Sequence, residues 1–414
     1  MLDIQFIREN PELVAEKSKQ KGYDVDITQL LGFDKERREL QQQVEELRQK
    51  RNELSNATKG QRPSDEQVQQ GKELKQQLAD LEPKLGAIEK QYTELLMLIP
   101  NVIQDDVPIG DEDQSVEVGS FGDKNTGAED HLDYMNKRGW VDFERGAKVA
   151  GAKFYFLKGD LALLENALTQ YALTFVGEKG FGYMTVPNMV NTRVATGTGF
   201  APKSSEQSDE YFVEGEDLSL IATAEMPLTG FHADEIIDEA DLPLRYVAYS
   251  PCYRKEAGTY GKHTRGLFRV HQFNKLEMYA LTTPDQSNAM HEEIRVVEEE
   301  LWQSLGIPYR VINIASGDMG APAAKKYDIE YWSKADGNYR ELTSCSNCTD
   351  YQARNLNIRV RRQDGSIDTL HTLNGTATAL ARSLVAIVEH YQTPEGKLRI
   401  PDVLQPYMGG RTEI

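Results

Sequence analysis

Ser250–Glu277 reads SPCYRKEAGTYGKHTRGLFRVHQFNKLE, and it sets cationic, acidic and aromatic side chains in two apolar-flanked runs joined by a glycine-rich loop. The first run, Arg-Tyr-Val-Ala-Tyr-Ser from Arg245, has strand composition; the second, Gly-Leu-Phe-Arg-Val-His-Gln-Phe from Gly266, alternates enough to be its antiparallel partner. Gly258, Gly261 and Gly266 permit a long turn between them. On such a hairpin Arg254 and Glu256 are two residues apart and share one face. A guanidinium forks onto phosphate oxygens, a carboxylate accepts from an exocyclic amine, and Phe273 offers a stacking surface, so the pattern fits a nucleotide. From spacing alone, a solvated cross-strand ion pair is the commoner origin of Arg-x-Glu.

Further motifs lie on both sides. Thr223-Ala224-Glu225 precedes the hairpin, and Glu341-Leu342-Thr343-Ser344 follows it. Leu373-Asn374-Gly375-Thr376 runs on through Arg382 to Gln392, and the chain closes on Ile400-Pro-Asp-Val-Leu-Gln-Pro-Tyr-Met-Gly-Gly410. In this order and at these separations the motifs resemble those of class II aminoacyl-tRNA synthetases, in detail the bacterial-type seryl-tRNA synthetases, and the resemblance runs from Met1 to the end. No Walker or Rossmann glycine turn is present to hold phosphate instead.

That resemblance implies an α+β fold: an N-terminal antiparallel coiled-coil arm (1–100), which binds tRNA, and a class II catalytic domain (101–414), an antiparallel sheet flanked by helices. It implies serine activation with ATP to seryl-adenylate and pyrophosphate, then transfer to the 3′ end of tRNA(Ser), with tRNA(Sec) as a second candidate acceptor. Arg254, Glu256 and Arg382 are the implied catalytic residues, at the α-phosphate, the adenine amino group and the γ-phosphate. ATP is further contacted by Lys255, Phe273, Glu341, Leu342, Thr343 and Ser344, with Glu341 and Ser344 also binding Mg2+. Thr223, Ala224, Glu225, Arg254, Glu277, Asn374 and Thr376 are the implied serine contacts. No general base is required, because a carboxylate is already a nucleophile, and His271 is therefore expected to be structural. His263 stands where many relatives carry an acid, and Gly197–Asp217 diverges from them.

At 414 residues and 39% hydrophobic content the chain exceeds one ordinary domain and can bury a sizeable core. No apolar run reaches the roughly 18–20 residues of a membrane span, and no basic-then-apolar leader opens the chain, so a cytoplasmic location is expected. Three cysteines cannot build a disulfide framework. Cys345-x-x-Cys348 has metal or redox spacing, but without two further ligands nearby the pair reads as small residues packed under a strand.

The net charge of −19 opposes nucleic-acid binding, whereas its distribution favours it. Arg48, Lys50, Arg51, Lys59 and Arg62 face a single acid, Glu53, in their segment. They lie near the turn of a helical hairpin. Phe33, Leu40, Val44, Leu47 and Leu54 follow a 3.5-residue pattern, and Leu74, Leu78, Leu81, Leu85, Ile88, Tyr92 and Leu95 step by four and three. Lys59–Ser64 breaks the helix, with Ser64 as N-cap and Gln67 three residues on. At 1.5 Å per residue the arm is roughly 40–50 Å long, a reaching device or a dimerisation coiled coil. Pro83 should kink or loosen its second helix.

Beyond Pro100 a Pro-, Gly- and Asp-rich stretch reads as a solvated connector as far as Asp133. Leu161–Lys179 then reads as a helix, and Tyr183–Pro187 as a strand. By resemblance they form motif 1, a homodimer interface carrying Pro187. Strands are expected at 310–314, 327–332 and 340–344, with helices at Gln286–Leu305 and Thr376–Tyr391. Two other classes of function fit less of the chain: a ligase that charges a carrier protein, and a catalytically inert scaffold.

Overall fold

The computed structural model describes residues 1–57, 59, 63–200, 210–256 and 266–414. The chain divides into two compact units, Met1–Val102 and Ile103–Ile414. Arg62, Gly258, Gly261, His263 and residues 201–209 of the divergent loop lie outside the described residues.

In the first unit, two short helices, Ile4–Glu9 and Pro11–Gln20, precede two long ones, Ile27–Ala57 and Asp65–Leu98. The long pair runs antiparallel: Arg37 lies over the Tyr92 ring at 4.6 Å, and Arg48 meets Glu82 at 2.8 Å. Every residue of the expected seam is buried or half-buried, Val44, Leu74 and Leu78 most completely. Seam burial carries the stability of such a pair, because isolated helices are marginal in water. Ser64 accepts from the Gln67 N–H while the Gln67 side chain accepts from the Ser64 N–H, a complete capping box. The second helix continues through Pro83 without interruption. Near the other end Asp34 is buried, and Arg8, Arg37 and Arg38 all bond to it. Burial pushes its carboxyl up, but the three guanidinium groups hold it below the usual range.

The second unit is built on an eight-stranded sheet. Across it the order is Val116–Phe121, Tyr309–Asn313, Lys325–Ser333, Asn338–Asn347, His371–Ala379, Gln272–Thr282, Leu244–Tyr253 and Gly182–Met184. All neighbours are antiparallel except the last pair. Helices Gly159–Glu178, Ser287–Ser304 and Leu380–Tyr391 contribute Leu164, Leu168, Ile294, Leu301, Leu384 and Ile387 to one core with the strand residues Leu276, Met278, Leu342 and Leu373. Packing one face of an antiparallel sheet on helices leaves the other face for a site.

Four expectations change. The strand paired with Leu244–Tyr253 begins at Gln272, and Gly266–Phe268 is instead a 3-10 turn. The buried residues there, Leu267 and Val270, are three apart, a turn spacing and not a strand one. Thr376 belongs to the His371–Ala379 strand, and the helix starts only at Leu380. The connector contains an edge strand, Val116–Phe121, paired to Tyr309–Asn313, and its Asp106 bonds Lys325 at 2.6 Å. Finally, the strand expected over Tyr183–Pro187 is Gly182–Met184, and Pro187 lies exposed between it and the two-residue strand Met189–Val190.

Candidate active site

On the sheet face away from the helices lies a cleft. Its lining includes Arg254, Glu256, Phe273, Glu341, Ser344, Thr376 and Arg382, drawn from three strands, the segment after a fourth and the start of a helix.

Arg254 and Glu256 reach the cleft differently from the expected strand alternation. Their strand ends at Tyr253, and Glu256 adopts a left-handed backbone, φ +49°. Arg254 is fixed from two sides: its N–H donates to His271 O at 3.0 Å, and His271 Nδ1 donates to Arg254 O at 2.9 Å. His271 is thus a clasp on the Arg254 backbone. The Arg254 guanidinium lies 5.3 Å over the Phe273 ring, and its Nε donates to Ala222 O at 3.4 Å. Glu256 accepts from Arg269 at 2.9 Å. Lys255 does not line the cleft, and its ammonium lies over Tyr211 and Phe212 at 5.8 and 5.7 Å.

Glu341 and Ser344 are three apart, so in a regular strand they would face opposite sides of the sheet. A bulge corrects the parity: Thr343 pairs with Ile329 and Glu341 with Glu330, leaving Leu342 extra. Leu342 enters the core, and the Thr343 hydroxyl donates to Glu298 at 3.0 Å on the helical side. Those two residues therefore bring no side-chain polar group to the cleft. Glu341 is 40% exposed and meets Arg382 at 2.9 Å. Desolvation raises its carboxyl, but Arg382, Lys326 and Arg254 together hold it well below the usual range. Arg382 also stacks on Phe268, 4.9 Å from the ring centroid, and its Nε donates to Phe268 O. Opposite Ser344 in register is Asp328, buried and bonded to Lys326 at 3.0 Å. Burial raises the Asp328 carboxyl against the opposing pull of Lys326.

A second bulge, at Ala377, sets Thr376 directly across from Glu277. The Thr376 hydroxyl donates to Glu277 at 3.4 Å, and the buried Lys275 forms an ion pair with the same carboxylate. Next to this pair is Glu225, at the start of helix Glu225–Phe231, whose N–H donates to the Thr223 hydroxyl at 3.2 Å. Glu225 Oε1 accepts from Asn374 at 3.0 Å and from Gln352 at 2.7 Å. Burial, aided by the charge of Glu277, pushes its carboxyl up to about 7 against the opposing pull of Gln352, Lys275 and Arg254. Thr223 and Ala224 are buried beside it. Gly375 has no room for a side chain, since a Cβ would fall 2.3 Å from Ile294.

Elsewhere, Arg48, Lys50, Arg51 and Lys59 are exposed on the arm. Cys345 and Cys348 are buried, and Asn374 donates to Cys348 Sγ at 3.7 Å. Sequence reasoning passed over Lys275, Arg269, Gln352, Asp328 and Glu298. Only Lys275 and Arg269 stood inside a stretch already singled out, and the others carried no local signal.

Residues 1–103 match the seryl-tRNA synthetase N-terminal domain, and residues 210–391 the class II tRNA synthetase core domain of the G, H, P, S and T enzymes. A serine–tRNA ligase of Dictyoglomus turgidum is 44% identical over 99% of this chain and 98% of its own; that of Treponema denticola is 42% identical over 99% of each. The crystal structure of seryl-tRNA synthetase from Pyrococcus horikoshii complexed with ATP superposes with a TM-score of 0.89 at 40% identity, covering 100% of this chain and 99% of that one. The cytoplasmic serine–tRNA ligase of Naegleria fowleri in complex with AMP gives a TM-score of 0.86 at 36% identity, covering 100% and 98%. With both domain matches in order, full-length relatives at 42–44% identity and the two-bulge cleft on a class II sheet, the chain belongs to the seryl-tRNA synthetase family of class II aminoacyl-tRNA ligases.

Proposed function

We propose that this chain activates L-serine with ATP and transfers the seryl group to the 3′ end of tRNA(Ser). One observation carries the reading: Arg254 and Arg382 face a single cleft that also holds Glu256, Glu341 and Phe273, beside the Glu225–Glu277–Thr376 pocket.

The serine carboxylate attacks the α-phosphorus of ATP, forming the acyl–phosphate bond as the bond to the β-phosphate oxygen breaks and pyrophosphate leaves. Positioning and charge neutralisation supply the catalysis. Arg254, fixed by His271, meets the α-phosphate, where charge concentrates on the non-bridging oxygens. Arg382 takes the γ-phosphate. Glu256 accepts from the adenine amino group and Phe273 stacks on the base, while Leu342 and Thr343 complete the nucleotide contacts through the backbone. Glu225 binds the serine ammonium, and Glu277 with Thr376 takes the hydroxyl. Arg254, Asn374, Thr223 and Ala224 close the pocket.

Glu341 and Ser344 would hold Mg2+, which screens the phosphate charges when bound. Their oxygen chemistry fits a hard cation, and both side chains line the same cleft.

The arm, residues 1–100, reaches the tRNA through Arg48, Lys50, Arg51, Lys59 and Arg62, reading shape more than sequence. The chain works in the cytoplasm as a homodimer through the edge containing Gly182–Met184 and Pro187, and tRNA(Sec) is a second acceptor. Labelled serine, ATP and total tRNA test the whole scheme. One AMP and one pyrophosphate should appear per serine bound to tRNA, and absence of labelled tRNA would contradict it.

A further inference from the structure

The structure assigns to Gln352, a residue with no side-chain contact to the cleft, the role of positioning Glu225 and thereby setting how well the serine pocket works near neutral pH. This inference rests on the proposed serine-activation reading. Gln352 is fully buried in the short helix Tyr351–Leu356. All of its amide is engaged. Its NH2 donates to Glu225 Oε1 at 2.7 Å and to Thr198 O at 3.0 Å, and its carbonyl accepts from the Thr372 hydroxyl at 2.7 Å. The Thr198 carbonyl can only accept, so the amide end that meets it and Glu225 is the NH2, which leaves the amide oxygen to the Thr372 hydroxyl.

The tether also has a rigid anchor. Asn355, one turn on, donates to Gly197 O at 2.8 Å, so two successive amides satisfy the consecutive carbonyls at the end of helix Thr192–Gly197. Gly197 packs so closely on Leu356 that a Cβ there would fall 2.5 Å from it. Gln352 cannot shift without moving that junction. Because Gln352 and Asn374 both donate to Oε1, they fix the rotation of the Glu225 carboxylate and bias its charge toward one direction.

A hydrogen bond to the charged form favours that form. Around Glu225, Glu277 opposes ionisation, while Lys275 and Arg254 favour it; the Tyr279 hydroxyl is also nearby, kept neutral by burial. Removing the Gln352 donor therefore shifts the balance toward the protonated acid, which cannot pair with an ammonium.

The test is serine- and ATP-dependence of pyrophosphate exchange between pH 6 and 9 for the full-length enzyme and two variants. Wild-type exchange with serine first establishes the underlying reading; its absence would defeat that reading and leave this inference without an enzyme to act on. Gln352→Met should raise the serine KM about tenfold or more, leave the ATP KM within twofold, and move the acid limb of the serine KM profile to higher pH. Thr372→Val, which keeps the amide and its two donor contacts but removes the bond to its oxygen, should show a smaller shift in the same direction and carries the test should Gln352→Met fail to fold. Unmoved acid limbs, or equal losses in serine and ATP KM, would overturn the assignment.

Discussion

Arg382 Nη1 stands 2.9 Å from a carboxylate oxygen of Glu341, so the residue assigned to the γ-phosphate and the one assigned to Mg2+ neutralise each other across the cleft. The pairing keeps both side chains extended into the site and restrains the Arg382 fork, which Phe268 backs by stacking. Arg382→Ala should lower kcat/KM for ATP by about 10²–10³-fold while the serine KM changes little. Arg382→Lys should recover only a small part, since an ammonium lacks the planar fork. Steady-state pyrophosphate exchange checks both variants.

Glu225 titrates near pH 7, raised first by burial and then by Glu277. Its raised value means that the carboxyl takes a proton as pH falls through about 7, well above where a free glutamate would. The serine KM should therefore rise as pH drops from 8 to 6, while the ATP KM stays comparatively flat. Flat serine profiles over that range would contradict the assignment of the ammonium to Glu225.

Glu298 is buried under the cleft strands, bonded to Thr343, and desolvation raises its carboxyl well above the ordinary value. The folded protein retains a proton that the unfolded chain releases above about pH 4.3. Glu298 therefore makes stability fall as pH climbs from that point toward its raised value, by up to about 1.4 kcal/mol per pH unit. Glu298→Gln removes this dependence while keeping a group able to donate or accept at Thr343. Thermal denaturation should show the variant gaining on the wild type as pH increases from 5 to 8; parallel curves would contradict it.

Lys50 and Arg51 are exposed on the arm, as is Arg48, which also pairs with Glu82 on the other helix. Replacing Lys50 and Arg51 with Glu should raise the tRNA KM and reduce the slope of log affinity against log salt by about two. Adenylate formation should be unaffected. Replacing Arg48–Arg62 with a short turn should do the same more strongly, and equal loss of both activities would make the arm structural.

Much of this site was legible because the order of its charged residues along the chain is distinctive: Arg254, Glu256, Glu341 and Arg382 fall in successive short motifs. The heptad steps and the Ser64–Gln67 cap likewise follow from local periodicity. What stayed hidden depends on strand parity and on distant partners. Nothing in Glu341-Leu-Thr-Ser344 announces that Leu342 is an extra residue, yet that bulge decides which side chains face the cleft. Thr376 looks helical because Ala-rich sequence follows it, but pairing with Glu277 holds it in a strand. The Val116–Phe121 edge strand is masked by flanking acids, and Gln352 acquires its role only when Glu225, Thr198 and Thr372 converge on it.

The most direct test of serine activation is ATP–pyrophosphate exchange by the purified protein with magnesium and no tRNA, comparing serine with threonine, alanine, cysteine and glycine. Exchange that depends on serine and exceeds that with each of the other four is the predicted result. No exchange with any amino acid would contradict it and leave the chain as a scaffold of synthetase shape.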